Sequence, residues 1–227
     1  MGMSIGIFKI EKFELLEKIK QEGQITVMSK KTLADFDDEF GLPSPSSTIK
    51  LVNETKNRVI YAAEHYSDTI EKPIRTWKKH LFTDAGYQEF IKIQIIHDLN
   101  RNELYIVAKK DVVDAFASRL KMLKELIKIE KCTFNLNIIK AQEILNVYGI
   151  WDKCHKGNIT VEAKFGSDVL ESIQATDSTI AINMKVKQDD KEFDVTLSSD
   201  GQISSHSNVS FGELMNFFEV LRPELLG

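Results

Sequence analysis

The chain has 227 residues, 42% apolar and 28% charged, which is enough for one large domain or two lobes with real cores and argues against disorder. Its net charge of −4 is unevenly placed, +3 over residues 1–140 and −7 over residues 141–227. An acidic C-terminal part argues against a general nucleic-acid sleeve, because each phosphate contact needs a cation.

The N-terminus has no apolar core followed by a small-residue cleavage site, and Gly6 stands where a myristoylation pattern needs Ser or Thr. No window approaches eighteen apolar residues. The expectation is a soluble, cytoplasmic chain with no membrane contact. Cys132 and Cys154 are then expected as free thiols, with a disulfide between them left open.

In chain order, "IGIFKI" predicts a short strand, and Glu11 to Gln21 an amphipathic helix stopped by Gly23. "KKTLADFDDEF" predicts a second short helix. "LPSPSS", residues 42–47, is the clearest linker or loop in the chain. "TIKLVNETKNRVIYAAEHY" reads as a hairpin, whereas Ser67 to Gly86 shows no period. A stronger hairpin follows, "EFIKIQIIHD" and "ELYIVA" around "LNRN". Residues 111–131 predict a long helix, with Val113, Phe116, Leu120, Leu123 and Ile127 on one stripe. Cys132, Phe134, Leu136 and Ile138 alternate as in a strand, and "AQEILNVYG" predicts a short helix ending at Gly149. "YGIWDKCHKGNI" is then a helix-to-strand loop anchored by Trp151. "NITVEAKF" and the stretch 179–207 supply further strands. Ser210 and Glu213 have capping-box spacing at the head of a last helix that Pro223 ends.

Strand clusters and helices are segregated rather than alternating. The expected class is α+β, with largely antiparallel hairpins and sheets each backed by helices. Two lobes are the expected organisation, residues 1–131 and an acidic lobe at 132–227; related topology between them is an open alternative, since no residue-level self-similarity marks a duplication.

Three functional readings follow. The favoured one is a soluble, non-catalytic binding protein with a protein partner or self-association, without cofactor or bound metal. It rests on the lack of a convergent catalytic set. The sequence has no Gly-x-x-x-x-Gly-Lys, no Gly-x-Gly-x-x-Gly and no Gly-x-Ser-x-Gly. Cys154 and His155 are neighbours, without the further ligands that a zinc site needs.

The second reading is a metal-dependent nuclease. Asp152 followed by Glu162-Ala-Lys164 resembles the metal-binding signature of restriction-endonuclease-like nucleases. That resemblance implies Mg²⁺ held by two carboxylates, with Lys164 helping to activate water and Glu143 as an extra acid.

The third is a nucleic-acid-binding module. Arg75, Lys78 and Lys79 surround Trp77, an indole able to stack on an unpaired base. Lys121, Lys124, Lys128 and Lys131 would add a cationic stripe along the long helix.

Overall fold

The computed structural model describes residues 2–28, 46–66, 74–78, 81–85, 90–136, 146–154, 157–162, 179–188 and 191–226. The fold is α+β and sheet-dominated: the strand pairings with known register are antiparallel, and three helices accompany them among the described residues. The chain divides into two compact units, Ile10–Ile129 and Met1–Lys9 with Glu130–Gly227. The boundaries fall inside β1 (Met3–Phe13) and β9 (Ile127–Lys131), which pair with each other.

In the unit Ile10–Ile129, the sheet runs in the order β2 (Gln24–Met28), β3 (Ser46–Glu54), β4 (Arg58–Tyr66), β7 (Phe90–Asp98), β8 (Glu103–Ala108). Period-two patterning dictates this. In β2, Ile25 and Val27 are buried and Gln24, Thr26 and Met28 exposed. The registers Val27↔Ser47, Ser47↔His65 and His65↔Ile91 put the buried set on one face: Ile25, Val27, Ser47, Ile49, Val59, Tyr61, Ala63, His65, Ile91, Ile93, Ile95, His97, Leu104 and Ile106. Helix α1 (Leu15–Glu22) packs on β2 and β3, and α2 (Lys110–Leu120) on β8 and β2. The turn after β7 is made by Asp98, whose carboxylate accepts from the Asn100 and Arg101 amides, and by Asn102 at φ 55. Residues 67–86, where the sequence shows no period, contain a separate hairpin, β5 (Ile74–Lys78) with β6 (Leu81–Ala85).

In the other unit, the order is β11 (Gly157–Glu162), β10 (Asn146–Cys154), β12 (Thr179–Gln188), β13 (Lys191–Ser198), β14 (Gln202–Ser205), then the start of β1, paired Met3↔Ser205 to Gly6↔Gln202. Helix α3 (Phe211–Leu225) packs on β14 and buries Leu214, Met215, Phe217, Phe218, Leu221 and Leu225.

Several elements differ from the sequence expectation, each for a physical reason. The first helix begins at Leu15, because Glu11–Phe13 continue β1. Long-range bonds hold them there: Ile10 N–H donates to Asn102 O at 3.1 Å, and Glu14 N–H to Leu126 O at 2.8 Å. Its end at Gly23 is as expected, with φ 80 and the amide on Ile19 O at 2.7 Å.

The long helix stops at Leu120. Tight turns follow, Met122 N–H to Arg119 O and Leu126 N–H to Leu123 O, and Ile127–Lys131 then joins β1 as a strand. "IKIEK" satisfies period two as well as a helical stripe, with Ile127 and Ile129 buried and Lys128 and Glu130 exposed. Pairing with β1 decides between the two.

Cys132, Phe134 and Leu136 are buried alternately, but residues 132–135 form a connection outside any strand, Leu136 is helical, and Ile138 lies outside the described residues. Cys132 N–H donates to Ile7 O, Phe134 N–H to Ser199 O and Asn135 N–H to Leu225 O. Residues 146–149 belong to β10, not to a helix. Val, Tyr, Ile and Trp in "NVYGIW" suit a pleated strand, paired with β12 from Asn146 and with β11 from Gly149. "YGIWDKC" is therefore strand, and Cys154↔Gly157 closes a hairpin. Pro223 lies inside α3, which continues to Leu225. Ser46 and Ser47 of the expected linker belong to β3. The remaining linker residues, 42–45, and the helix expected at 30–40 lie outside the described residues.

The capping box is present as expected: Ser210 Oγ accepts from Glu213 N–H at 3.2 Å, and Glu213 Oε2 accepts from Ser210 N–H at 2.8 Å. Ser210→Ala should lower stability by about 1 kcal/mol in urea unfolding. The tightest backbone approach among the described glycines is at Gly201, φ 76, where an added Cβ would stand 2.2 Å from Cys132 O. Gly201→Ala should cost about 1–3 kcal/mol or more, because strain and overlap act together. An unchanged melting temperature for this variant would contradict the packing of that turn.

Candidate functional site

The described polar groups that converge most closely lie between α2 and strands β3 and β4. Arg119, in the last turn of α2, donates through Nη1 to Tyr66 O at 2.8 Å and to Ser47 Oγ at 3.1 Å. The same nitrogen is 3.3 Å from His65 Nδ1, and Ser47 Oγ is 2.8 Å from that Nδ1. Ser47 and His65 face each other in the β3–β4 register, so the hairpin itself brings them together. Phe116, one helical turn before Arg119, packs edge-on to the imidazole with centroids 5.7 Å apart.

A serine hydroxyl on an imidazole nitrogen is the first half of an activated nucleophile. Burial decides what this pair can do. Ser47 is 0%, His65 2% and Arg119 2% exposed, so no substrate can reach the hydroxyl. The set ties the C-terminal turn of α2 to the sheet.

A second buried polar group lies on the same face. Phe13 packs edge-on to both Tyr61 and His97, at 5.9 and 5.1 Å. Neither Tyr61 Oη nor His97 Nε2 has a hydrogen-bond partner among the described residues. Burial pushes the Tyr61 hydroxyl far up, so it stays protonated. Burial also holds the His97 imidazole below its ordinary value, outweighing the Asp98 charge and the hydrogen bond with Asn102. No group of three or more His, Cys, Asp or Glu that could hold a metal occurs among the described residues.

The residues singled out from sequence are placed as follows. Asp152 stands opposite Ile159 in the β10–β11 ladder and Glu162 opposite Gly149, three rungs away and of opposite parity. The hairpin therefore does not bring these two positions together. Lys164 and Glu143 lie outside the described residues. Arg75, Trp77 and Lys78 fall on β5, where Arg75 pairs Asp84, Trp77 pairs Phe82 and Lys78 pairs Leu81; Lys79 lies outside the described residues.

The lysine stripe loses its helical basis. Lys121 caps α2, Lys124 lies in the turns after it, and Lys128 and Lys131 are on β9. Lys128 pairs with Glu11, and Lys131 with Asp200 at 2.7 Å. The Ser47–His65–Arg119 set has no signature in sequence, since its members are 18 and 54 residues apart. A polar residue at a core-facing position of an alternating strand is the one available signal.

Because the folded His97 disfavours its proton, the unfolded chain binds more protons as pH falls through about 6.5. The stabilisation from neutral His97 is thus complete above about pH 6.5 and is lost below it. His97→Gln should show a flatter fall in melting temperature between pH 7 and pH 5 than the wild type, and equal slopes would count against this role. No protein-family model and no curated protein matches the chain.

Proposed function

We propose that this chain is a soluble, non-catalytic interaction protein that joins copies of itself head to tail through the edges of its sheets. The observation that carries this reading is that each unit ends in a strand paired on one side only among the described residues, β2 in one unit and β11 in the other. A strand edge offers a row of backbone donors and acceptors, the commonest main-chain means of adding a partner strand. Two different edges make a heterologous contact, in which β2 of one copy meets β11 of the next.

Composition supports the pairing of unlike edges. By the residues of each unit, Ile10–Ile129 carries a net +1 and the other unit a net −5. A contact between two copies of the acidic unit would be opposed by like charge, and a head-to-tail contact avoids that. The sealed Ser47–His65 pair supports a non-catalytic role, since the closest hydroxyl–imidazole contact among the described residues is closed to substrate.

The two units also share a motif. β4–β7–β8 is an antiparallel meander followed by α2, and β12–β13–β14 is another followed by α3. This recurrence supports two lobes of related topology, the arrangement that would give one chain two comparable edges.

Light scattering and sedimentation should give the wild type a mass above that of one chain, rising with concentration. Gln24→Lys with Met28→Lys adds charge at two exposed β2 positions and should weaken association about tenfold or more without unfolding the chain. A wild type that is monomeric at every concentration would overturn the reading. So would a doubly substituted chain that associates as well as the wild type.

A further inference from the structure

We propose that Tyr61 Oη and His97 Nε2 form a buried two-point site, covered by Phe13, that holds a single internal water molecule. The site lies within the unit Ile10–Ile129 and stands independently of any association. It rests on two polar atoms that the protein buries and does not bond. Tyr61 is 0% and His97 9% exposed, and neither Oη nor Nε2 has a hydrogen-bond partner among the described residues. Burying such groups unpaired is expensive, and an internal water is the usual relief.

The sheet places both groups on one face and surrounds them with hydrocarbon. Tyr61 lies opposite Leu51 and Ile95, and His97 opposite Val59 and Leu104. Tyr61 and His97 are thus diagonal neighbours across β4 and β7, a spacing that aromatic side chains can bridge. Phe13 packs edge-on to both rings, with centroids 5.9 and 5.1 Å away. Because both atoms lack partners, they do not bond to each other directly. Glu54, whose charge reaches the Tyr61 hydroxyl, has its two carboxylate oxygens 3.0 and 2.9 Å from Lys20 Nζ.

One atom donates and the other accepts. Burial disfavours the phenolate, so Tyr61 keeps its proton and offers an O–H. For His97 the ring hydrogen is placed by Asn102. Asn102 Nδ2 donates to Ile10 O at 2.8 Å, so the amide oxygen is the end left for the imidazole, to which Asn102 is hydrogen-bonded. An amide oxygen can only accept, so the ring nitrogen facing it carries the hydrogen. Nε2 has no partner, so that nitrogen is Nδ1, and Nε2 presents a lone pair. A water molecule accepts from Tyr61 and donates to His97 at once. An anion would meet the Nε2 lone pair, and a cation would lose its hydration among apolar neighbours.

The test is a crystal structure of the wild-type chain. It should show one ordered water oxygen within about 2.7–3.2 Å of both Tyr61 Oη and His97 Nε2. A dry gap, separate waters on the two atoms, or a protein partner on either atom overturns the proposal. In solution at pH 7.5, ¹⁵N-labelled histidine should show the His97 ring hydrogen on Nδ1, and a hydrogen on Nε2 instead overturns it. Tyr61→Phe removes one of the two tethers. Its crystals should lose the water, and its melting temperature should fall by about 2–4 °C. An unchanged or raised melting temperature overturns the proposal, because deleting an orphaned hydroxyl costs nothing. If this variant fails to fold, the wild-type crystals and ring spectrum decide.

Discussion

The fold depends on a pairing made between the two ends of the chain. Met3 to Gly6 of β1 lie against Ser205 to Gln202 of β14, so one unit is closed only when residues about two hundred positions apart have met. The side chains enforce the register. Ser4 Oγ donates to Ser204 Oγ at 3.0 Å in a buried site, while Ile5, Ile7 and Ile203 are fully buried. A slip of one residue would turn the isoleucines to the wrong face and strand two buried hydroxyls. Ile7 adds the next constraint: its N–H donates to Gly201 O and its carbonyl accepts from Cys132 N–H. The β13–β14 turn and the chain entering this unit are thereby gathered onto the N-terminal strand. Gly201 is required there because the Cys132 carbonyl occupies the space of a Cβ.

This dependence explains what could be read from sequence. Hairpins whose strands are neighbours in the chain were legible, because alternation and turn residues are both local: β3 with β4 and β7 with β8 carry their own registers. Gly23 and the Ser210–Glu213 box were legible for the same reason. The misreadings fall where a distant strand arbitrates. "IEKF" at the end of β1 and "IKIEK" in β9 each fit a helical stripe, and it is their mutual pairing that makes them strands. Residues 146–149 follow the same rule, held in β10 against β12. Cys132 and Phe134 are buried in alternation with no ladder to join, so alternation alone named these buried side chains correctly and the element wrongly.

The buried polar set was illegible for a different reason. Sequence patterning treats a polar residue in an apolar alternation as noise. Ser47 and His65 both occupy core-facing positions in strands whose other inward residues are Ile49, Val59, Tyr61 and Ala63. Arg119 sits on the buried stripe of α2 with Val112, Val113, Phe116 and Leu120. Each is costly to bury alone, and the three hydrogen-bond within the set. What the set adds over an apolar core is direction: its hydrogen bonds are met only when α2 ends opposite Ser47 and the carbonyl of Tyr66.

That geometric demand bears on why α2 is short. Arg119 must reach the ends of β3 and β4 to place its guanidinium within 2.8 Å of Tyr66 O. The chain must then turn at once for Ile127 and Ile129 to enter β9 beside β1. Continuing the helix through Leu123 would keep a regular apolar stripe but would carry the following isoleucines away from their strand partner. The turns at Met122 and Leu126 resolve the conflict, and they leave Lys121 and Lys124 at the end of α2, where their charge complements the carbonyl end of the helix. The lysines that looked like a binding stripe are accounted for by this junction and by ion pairs on β9, Lys128 with Glu11 and Lys131 with Asp200.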